Sequence, residues 1–196
     1  MRKIIGIDLD EVLSETVEHA LKANDYKICG IPIRKEQIND YYIFRMKEFE
    51  GMQQEAVDFF GDFLLSEKAK EIKPVDGAYE KLKELKSAGY TLNVVTARRD
   101  FLKDRTYEWL DKNLPSLISD VYFTNSFGDN QIKKSEVIKK IGADYMFEDN
   151  FEYAFDVASV GVKTFLLEKP WNANQTENTG LIKRIASWNE FSLEML

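Results

Sequence analysis

Short apolar runs and helical patterns alternate along most of this chain. The first run, which starts at Lys3, is rich in β-branched residues and predicts a buried strand ending in Asp8 and Asp10. From Gly77 onward the alternation is regular. Further strands are predicted at 90–96, 120–124, 144–147 and 162–167, and helices at 78–88, 100–110, 135–141, 151–160 and 181–196. This rhythm indicates an α/β fold with a Rossmann-like, mainly parallel sheet.

Residues 14–73 interrupt this rhythm directly after the first strand. Helical patterns cover 14–23 and 53–70, and the stretch between them contains an aromatic cluster of Tyr41, Tyr42, Phe44 and Phe49. About sixty residues are too many for a simple crossover connection, so this segment is predicted to be an inserted helical cap. The predicted domains are therefore an α/β core of residues 1–13 and 74–196 and a cap of residues 14–73.

Composition and charge exclude several classes of partner. The chain has 196 residues, 44% of them hydrophobic, which suits one domain with a modest insertion. A net charge of −7 argues against binding a nucleic acid polymer. A single cysteine, Cys29, suits a reducing compartment, and no apolar run is long enough to span a bilayer. We therefore expect a cytoplasmic protein without a membrane partner; an oligomer is compatible with the sequence.

Polar residues follow several of the predicted strands, where ligands bind to a parallel sheet. Side chains alternate along a strand, so Asp8 and Asp10 leave on the same side. Two neighbouring carboxylates repel each other and are typically compensated by a hard cation such as Mg²⁺. Taken alone, this stretch is equally compatible with an Asp-rich turn. The other polar groups at strand ends or in the following loops are Thr96, Arg98, Lys134, Glu148 and Asp149.

These residues resemble the motifs of the haloacid dehalogenase-like (HAD) phosphohydrolase superfamily. That superfamily has a DxDx[TV]-type strand end, a hydroxyl residue after the second strand, a lysine and a late acidic pair. The corresponding residues here are Asp8-Leu9-Asp10-Glu11-Val12, Thr96, Lys134 and Glu148-Asp149. Each motif alone is a weak signal, whereas four in the same order along the whole chain are a strong one.

Within the superfamily the chain resembles the 5′-nucleotidase C-type group, which includes the deoxyribonucleotidases and their bacterial relatives. The first cue is the cap directly after the first motif. The others are Pro74-Val75-Asp76-Gly77-Ala78, Val95-Thr96-Ala97-Arg98, Lys134-Ser135, Phe147-Glu148-Asp149-Asn150 and Pro170-Trp171-Asn172. This resemblance implies a phosphatase for small phosphate esters, in particular (deoxy)nucleoside monophosphates.

The resemblance also implies a role for each site residue. Asp8 is expected to attack phosphorus and form an aspartyl-phosphate. The carboxyl group of Asp10 is expected to protonate the leaving alkoxide and then to deprotonate the attacking water. The expected phosphate-binding residues are Thr96, Ala97, Arg98 and Lys134, with Arg98 placed to meet either phosphate or the cap.

A metal site is implied as well, with Mg²⁺ as the expected cofactor. Its expected ligands are Asp8, the backbone carbonyl of Asp10, and Asp149. Many relatives have Asp-Asp where this chain has Glu148-Asp149, so Glu148 is expected either to bind the metal through water or to orient Lys134. Glu11 is a second departure, because many members have glycine there; it is expected to alter the start of the cap without changing the catalytic roles.

Two alternatives stay open at this point. A HAD phosphatase for a sugar or cofactor phosphate would keep the same catalytic residues and differ in its cap. The aromatic stretch 41–49 favours a nucleobase, whereas a polar cap surface would favour a sugar. The second alternative is a non-catalytic phosphate-binding module. Loss of the nucleophile or of Lys134 would be its signature, and both residues are present.

Overall fold

The computed structural model describes residues 3–176 and 179–196, and in this part of the chain the strands form a six-stranded sheet and a separate two-stranded hairpin. The strands are β1 (Ile4–Ile7), β2 (Lys27–Ile28), β3 (Ile31–Pro32), β4 (Thr91–Thr96), β5 (Asp120–Phe123), β6 (Tyr145–Glu148), β7 (Lys163–Leu167) and β8 (Ile182–Ile185). Every pairing in the larger sheet is parallel, and the β2–β3 hairpin is antiparallel.

The α-helices are short and lie mostly between the strands of the larger sheet. They are α1 (Thr16–Ala23), α2 (Gln53–Leu65), α3 (Ala78–Ser87), α4 (Lys103–Asn113), α5 (Lys134–Ile141) and α6 (Phe151–Ala158). The longest of these, α2, has 13 residues. Among the described residues, no helix combines the length and the apolar character needed to cross a bilayer.

The larger sheet has the strand order β5-β4-β1-β6-β7-β8. The chain moves outward from β1 through β4 to β5, then returns to the other side of β1 with β6. In a doubly wound sheet, ligands bind outside the carboxyl ends of the strands where the order reverses. This point lies here between β1 and β6. The predicted α/β class with a Rossmann-like parallel sheet is confirmed.

The four inner strands of this sheet, β4, β1, β6 and β7, are almost entirely buried, which explains their nearly continuous apolar sequences. Ile5 and Ile7 of β1 are fully buried. Gly6 lies between them, and a Cβ atom there would come within 2.4 Å of Ile138 Cδ1 and 2.9 Å of Met146 Sδ. The missing side chain at Gly6 therefore lets α5 and β6 pack closely on β1.

The segment 14–73 contains more than the two helices predicted for it. It holds α1, the β2–β3 hairpin, α2 and several short 3₁₀ turns. Helix α2 ends at Leu65, earlier than the predicted 70, and a 3₁₀ helix at Glu67–Glu71 follows. A hydrophobic cluster around the fully buried Phe49 packs this segment together and includes Trp171 from outside it.

The prediction of a carboxyl-terminal helix over residues 181–196 is wrong. The structure has strand β8 at Ile182–Ile185 and a short 3₁₀ turn at Leu193–Met195. Apolar residues recur every third position from Ile182, a spacing that fits a helix, but the backbone instead pairs with the free edge of β7. Trp188 then packs in the core, where its indole N–H donates to the backbone oxygen of Val12 at 2.7 Å.

Candidate active site

The sheet topology brings three of the predicted motifs to one edge. Asp8 directly follows β1, Thr96 ends β4 and Glu148 ends β6. Because β1 pairs with β4 on one side and β6 on the other, these carboxyl ends are adjacent. Lys134, the first residue of α5, extends into the same place, with Nζ 2.7 Å from Asp8 Oδ1 and 2.8 Å from Glu148 Oε2.

Lys134 is held as an ammonium group between two carboxylates. Its side chain is 1% exposed, and burial alone would lower the pKa of this lysine. The negative charges of Asp8 and Glu148 outweigh burial and raise the pKa above its usual value. Glu148 is itself fixed, because its Oε1 accepts the backbone N–H of Asn150 at 3.1 Å. Of the two roles expected for Glu148, this direct contact corresponds to the orientation of Lys134.

Asp8, Glu148 and Asp149 form a buried acidic cluster in which one oxygen of each lies within 4.8 Å of the others. Lys134 is the ammonium group in contact with this cluster, so negative charge is in excess. Burial, followed by the repulsion from Glu148 and Asp10, raises the pKa of Asp8 to about 7 despite the contact with Lys134. Burial and the charges of Glu148 and Asp8 raise the pKa of Asp149 well above its usual value.

Asp149 has an oxygen that the protein leaves without a partner. Its Oδ2 accepts the indole N–H of Trp171 at 2.8 Å, and its backbone oxygen accepts the side-chain N–H of Asn172 at 2.7 Å. Its Oδ1 is buried and has no hydrogen-bond partner among the described residues. A buried, unpaired carboxylate oxygen within a cluster of carboxylates suits a hard divalent cation, which prefers oxygen ligands. The donor set therefore fits the expected metal.

Asp10 lies beside this cluster but is paired with Arg98. Arg98 Nε lies 2.9 Å from Asp10 Oδ2 and Nη2 lies 2.7 Å from Oδ1, and Thr16 also donates to Oδ1. Burial alone would raise the pKa of Asp10, but Arg98 and the Thr16 hydroxyl hold it below its usual value. The structure thus places the Arg98 guanidinium on Asp10, at the wall of the cavity described below.

Thr96 and Ala97 lie next to this pair at the end of β4. The Thr96 hydroxyl oxygen accepts the backbone N–H of Arg98 at 3.2 Å, and among the described residues its own hydrogen has no acceptor, so it can donate to a ligand. Ala97 is half-buried and lines the cavity. Thr96 itself is fully buried.

A cavity of about 250 Å³ opens beside the acidic residues. Asp10 and Asp149 contribute to its wall, whereas Asp8 and Lys134 are almost completely buried next to it. Aromatic side chains from the inserted segment and from the core line the same cavity. These are Tyr41, Tyr42, Phe44, Phe60, Phe101, Phe127, Tyr153 and Trp171. Phe49, the fourth member of the predicted aromatic cluster, is buried away from it.

Several residues of this site have no role in the sequence analysis. Trp171 donates its indole N–H to Asp149, whereas in the sequence the stretch 170–172 marks only a family resemblance. Tyr153 places its ring 4.8 Å from Lys134 Nζ, and its hydroxyl lies 2.8 Å from that of Ser126. Thr16 contacts Asp10. These residues come from loops and helices that no strand-end motif marks, so only the tertiary structure identifies them.

Glu11 connects the first motif to the inserted segment. Its backbone has a φ of +65°, in the left-handed region that glycine adopts without strain. Its buried carboxylate accepts the backbone N–H of Val17 at 2.7 Å and lies 2.6 Å from Lys35 Nζ. Glu11 therefore fixes the start of α1, in the place where the resemblance implies glycine in many relatives.

Comparisons with known proteins agree with this geometry. Residues 2–196 match the model of the family described as 5′ nucleotidase, deoxy (pyrimidine), cytosolic type C protein. The chain is 26% identical over 192 residues to "Putative nucleotidase OB0422" of Oceanobacillus iheyensis, with 95% of each chain covered. It is 25% identical over 193 residues to "Putative nucleotidase YqfW" of Bacillus subtilis, with 95% of this chain and 90% of the relative covered.

Solved structures show the same fold. A predicted phosphatase from Clostridium acetobutylicum superimposes with a TM-score of 0.66 at 16% identity, over 97% of this chain and 96% of that one. The family match spans nearly the whole chain, and the four motifs lie together at one edge of the sheet. The chain therefore belongs to the cytosolic type C 5′-nucleotidase family and is a phosphomonoester hydrolase with the HAD fold, which confirms the resemblance seen in the motifs.

Proposed function

We propose that this protein is a Mg²⁺-dependent 5′-nucleotidase that hydrolyses (deoxy)nucleoside monophosphates through an aspartyl-phosphate on Asp8. The observation that carries the proposal is the buried group of Asp8, Lys134, Glu148 and Asp149. It combines a carboxylate nucleophile, a fixed ammonium group and an excess of carboxylate oxygens beside a cavity of ligand size. These are the functional groups that phosphoryl transfer to a carboxylate requires.

Asp8, Asp149 and the backbone carbonyl of Asp10 would hold the Mg²⁺ ion. Bound there, the metal supplies positive charge that masks the repulsion between the carboxylates and the phosphoryl oxygens. Lys134 adds a second positive charge to the same place, and Glu148 keeps its ammonium group directed at Asp8. The free hydroxyl hydrogen of Thr96 donates to a phosphoryl oxygen, and the substrate's phosphoryl group lies against Ala97.

The first half of the reaction forms a bond between an Asp8 oxygen and phosphorus while the bond from phosphorus to the nucleoside oxygen breaks. Asp10 enters this half carrying the proton that it took from water in the second half of the preceding turnover, and it gives that proton to the leaving oxygen, which departs as an alcohol. In the second half, Asp10 takes a proton from a water molecule whose oxygen attacks the phosphorus. The Asp8–phosphorus linkage then breaks, which releases inorganic phosphate and restores both carboxyl groups.

The aromatic lining supports a nucleoside as the rest of the substrate. Tyr42, Phe44 and Phe127 lie edge-to-face or tilted against one another, with ring centroids 5.7 to 5.9 Å apart. Phe127 is 43% exposed, which leaves part of its ring open to a ligand. Flat aromatic surfaces of this kind bind a nucleobase by stacking. A sugar phosphate has no flat ring to stack on these side chains and would therefore bind them less strongly.

We further propose that residues 14–73 act as a cap over this site and that the protein is cytoplasmic. Lys35 contacts Glu11, and Tyr41 lies edge-on to Tyr153 at 5.9 Å, so the segment contacts the core at the cavity. The single Cys29 leaves the chain without an internal disulfide and suits a reducing compartment.

The test is phosphate release with Mg²⁺ from a panel of ribonucleoside and deoxyribonucleoside 5′-monophosphates and sugar phosphates. The Asp8→Asn variant is measured in parallel, with its fold checked by circular dichroism. We expect the highest kcat/KM for deoxynucleoside or nucleoside monophosphates and no turnover above background in the variant, because an amide is a poor nucleophile for phosphorus.

Each contrary result has a defined meaning. Highest activity on a sugar or cofactor phosphate would retain the mechanism and overturn the nucleotide assignment. Equal activity of purified wild-type and Asp8→Asn protein would overturn the aspartyl-phosphate. Full activity in excess chelator would overturn the metal requirement.

A further inference from the structure

The Arg98 side chain is almost fully enclosed, and the residue contributes to the wall of the cavity. It is 4% exposed, whereas the Asp10 side chain is 27% exposed. The guanidinium donates three hydrogen bonds. Nε and Nη2 donate to Asp10, and Nη1 donates to the Thr106 hydroxyl at 3.1 Å. Thr106 is fixed in turn, because its hydroxyl donates to the backbone oxygen of Leu102 at 2.9 Å. Arg98 is thus anchored from α4 and presents two parallel donors to Asp10.

This contact makes the two oxygens of Asp10 unequal. Oδ1 accepts from Arg98 Nη2 and from the Thr16 hydroxyl, and the Ser14 hydroxyl lies 3.4 Å from it. Oδ2 accepts only from Arg98 Nε among the described residues. A carboxylate oxygen has two lone pairs, so Oδ1 is filled and Oδ2 keeps one lone pair open.

We infer that Arg98 is the positioning residue of Asp10: it holds the carboxyl group so that Oδ2 is the atom that exchanges the proton with the leaving oxygen. This inference rests on the proposed function of Asp10. In the first half of the reaction the proton on Oδ2 moves to the leaving oxygen as its bond to phosphorus breaks. In the second half Oδ2 takes a proton from water. In this role Arg98 acts through Asp10 and needs no contact with the phosphoryl group or the nucleoside.

The alternative role for Arg98, direct phosphate binding, makes a different kinetic prediction. A phosphate-binding residue contributes to every phosphate ester equally, regardless of its leaving group. A residue that positions the general acid contributes only where the leaving oxygen needs a proton, as an alkoxide does and an activated phenolate does not. Because kcat/KM reports the steps up to the first irreversible one, it excludes the later hydrolysis of the aspartyl-phosphate.

The experiment compares kcat/KM for a nucleoside 5′-monophosphate and for aryl phosphates with leaving groups of decreasing pKa, ending with p-nitrophenyl phosphate. The main variant is Arg98→Lys, which keeps the positive charge but loses the fork that contacts both Asp10 oxygens. We expect kcat/KM on the nucleotide to fall about 100-fold, mostly in kcat, and that on p-nitrophenyl phosphate to fall less than about 5-fold.

Two further variants keep the result interpretable. Thr106→Val removes the anchor behind Arg98 without touching the cavity, because Thr106 does not line it. We expect the same leaving-group dependence with a smaller loss, even if Arg98→Lys folds poorly. Arg105→Lys is the matched control: this arginine also forms ion pairs, with Glu67 and Glu108, but on the exposed side of α4. We expect Arg105→Lys to leave kcat/KM unchanged for both the nucleotide and p-nitrophenyl phosphate.

The outcomes separate this inference from the proposed function. Equal losses on all leaving groups in Arg98→Lys, with a raised KM, would identify Arg98 as a phosphate-binding residue and overturn the inference alone. Additive losses when Arg98→Lys is combined with Asp10→Asn would do the same, because a residue acting through Asp10 has little left to contribute in that background. No phosphate release by the wild-type protein, or full activity of Asp8→Asn, would overturn the proposed function itself.

Discussion

At the residue scale, the site depends on how each polar group is held. Glu148 illustrates this, because its two oxygens have separate tasks. Oε1 accepts the backbone N–H of Asn150 and Oε2 accepts from Lys134. Glutamine has one acceptor oxygen where glutamate has two, so it cannot satisfy both donors.

We therefore expect Glu148→Gln to lower kcat/KM by about 10- to 100-fold through a misplaced Lys134. The melting temperature in chelator should not fall, because the change removes one of three repelling carboxylates and leaves Lys134 paired with Asp8. Steady-state kinetics and calorimetry measure the two effects. Glu136→Gln, at an exposed position on the same helix as Lys134, is the control. An unchanged kcat/KM in Glu148→Gln would show that the Lys134 contact is dispensable.

The sequence predicted the site residues to different depths. That Asp8, Lys134 and Asp149 lie together could be predicted, because acids and a lysine at strand ends and helix starts follow a recognised order. The destination of a long flexible side chain was not predictable: the Arg98 guanidinium lies on Asp10, where the sequence suggested phosphate or the cap. The indole of Trp171 lies 22 positions from its partner Asp149, and nothing in the local pattern indicates that contact.

At the element scale, strands β1, β4, β5, β6 and β7 were predicted because each is an apolar run bounded by turn residues. Both the run and its boundaries are local properties of the sequence. Strand β8 was not predicted, since it forms on the free edge of β7, and an edge is a property of the assembled sheet. Local spacing could not distinguish it from a helix. The same limit explains why the β2–β3 hairpin, with two residues in each strand, was missed.

Close packing of α5 and β6 on β1 gives a prediction at this scale. Gly6→Ala places a methyl group within 2.4 Å of Ile138 and should lower the free energy of unfolding by about 1–3 kcal/mol, the usual cost of overpacking a core. Gly61→Ala, in the middle of α2 with ordinary contact distances, should instead raise it by about 0.5–1 kcal/mol. Denaturant unfolding of both variants tests this. Equal effects of the two would mean that Gly6 is not required for the packing.

At the scale of the whole molecule, the acidic cluster couples metal binding to stability. The pKa of Asp8 is raised to about 7 and that of Asp149 is also raised, so these two groups bind more protons in the folded protein than in the unfolded chain above about pH 4. Stability therefore falls, through these groups, as pH rises from about 4 toward 7 in the metal-free protein. A bound cation requires the deprotonated carboxylates and reverses this effect.

We expect Mg²⁺ at about 100 times its Kd to raise the melting temperature by roughly 5–10 °C at pH 8. The increase should be clearly smaller at pH 6 and the same Mg²⁺ concentration, because Mg²⁺ must then displace the proton on Asp8. Differential scanning calorimetry at pH 6 and pH 8 measures the melting temperature in Mg²⁺ and in chelator at each pH. Asp149→Asn, which removes a proposed ligand, should abolish the Mg²⁺ response at both. Equal increases at pH 6 and pH 8 in the wild-type protein would show that the ion binds away from the acidic cluster.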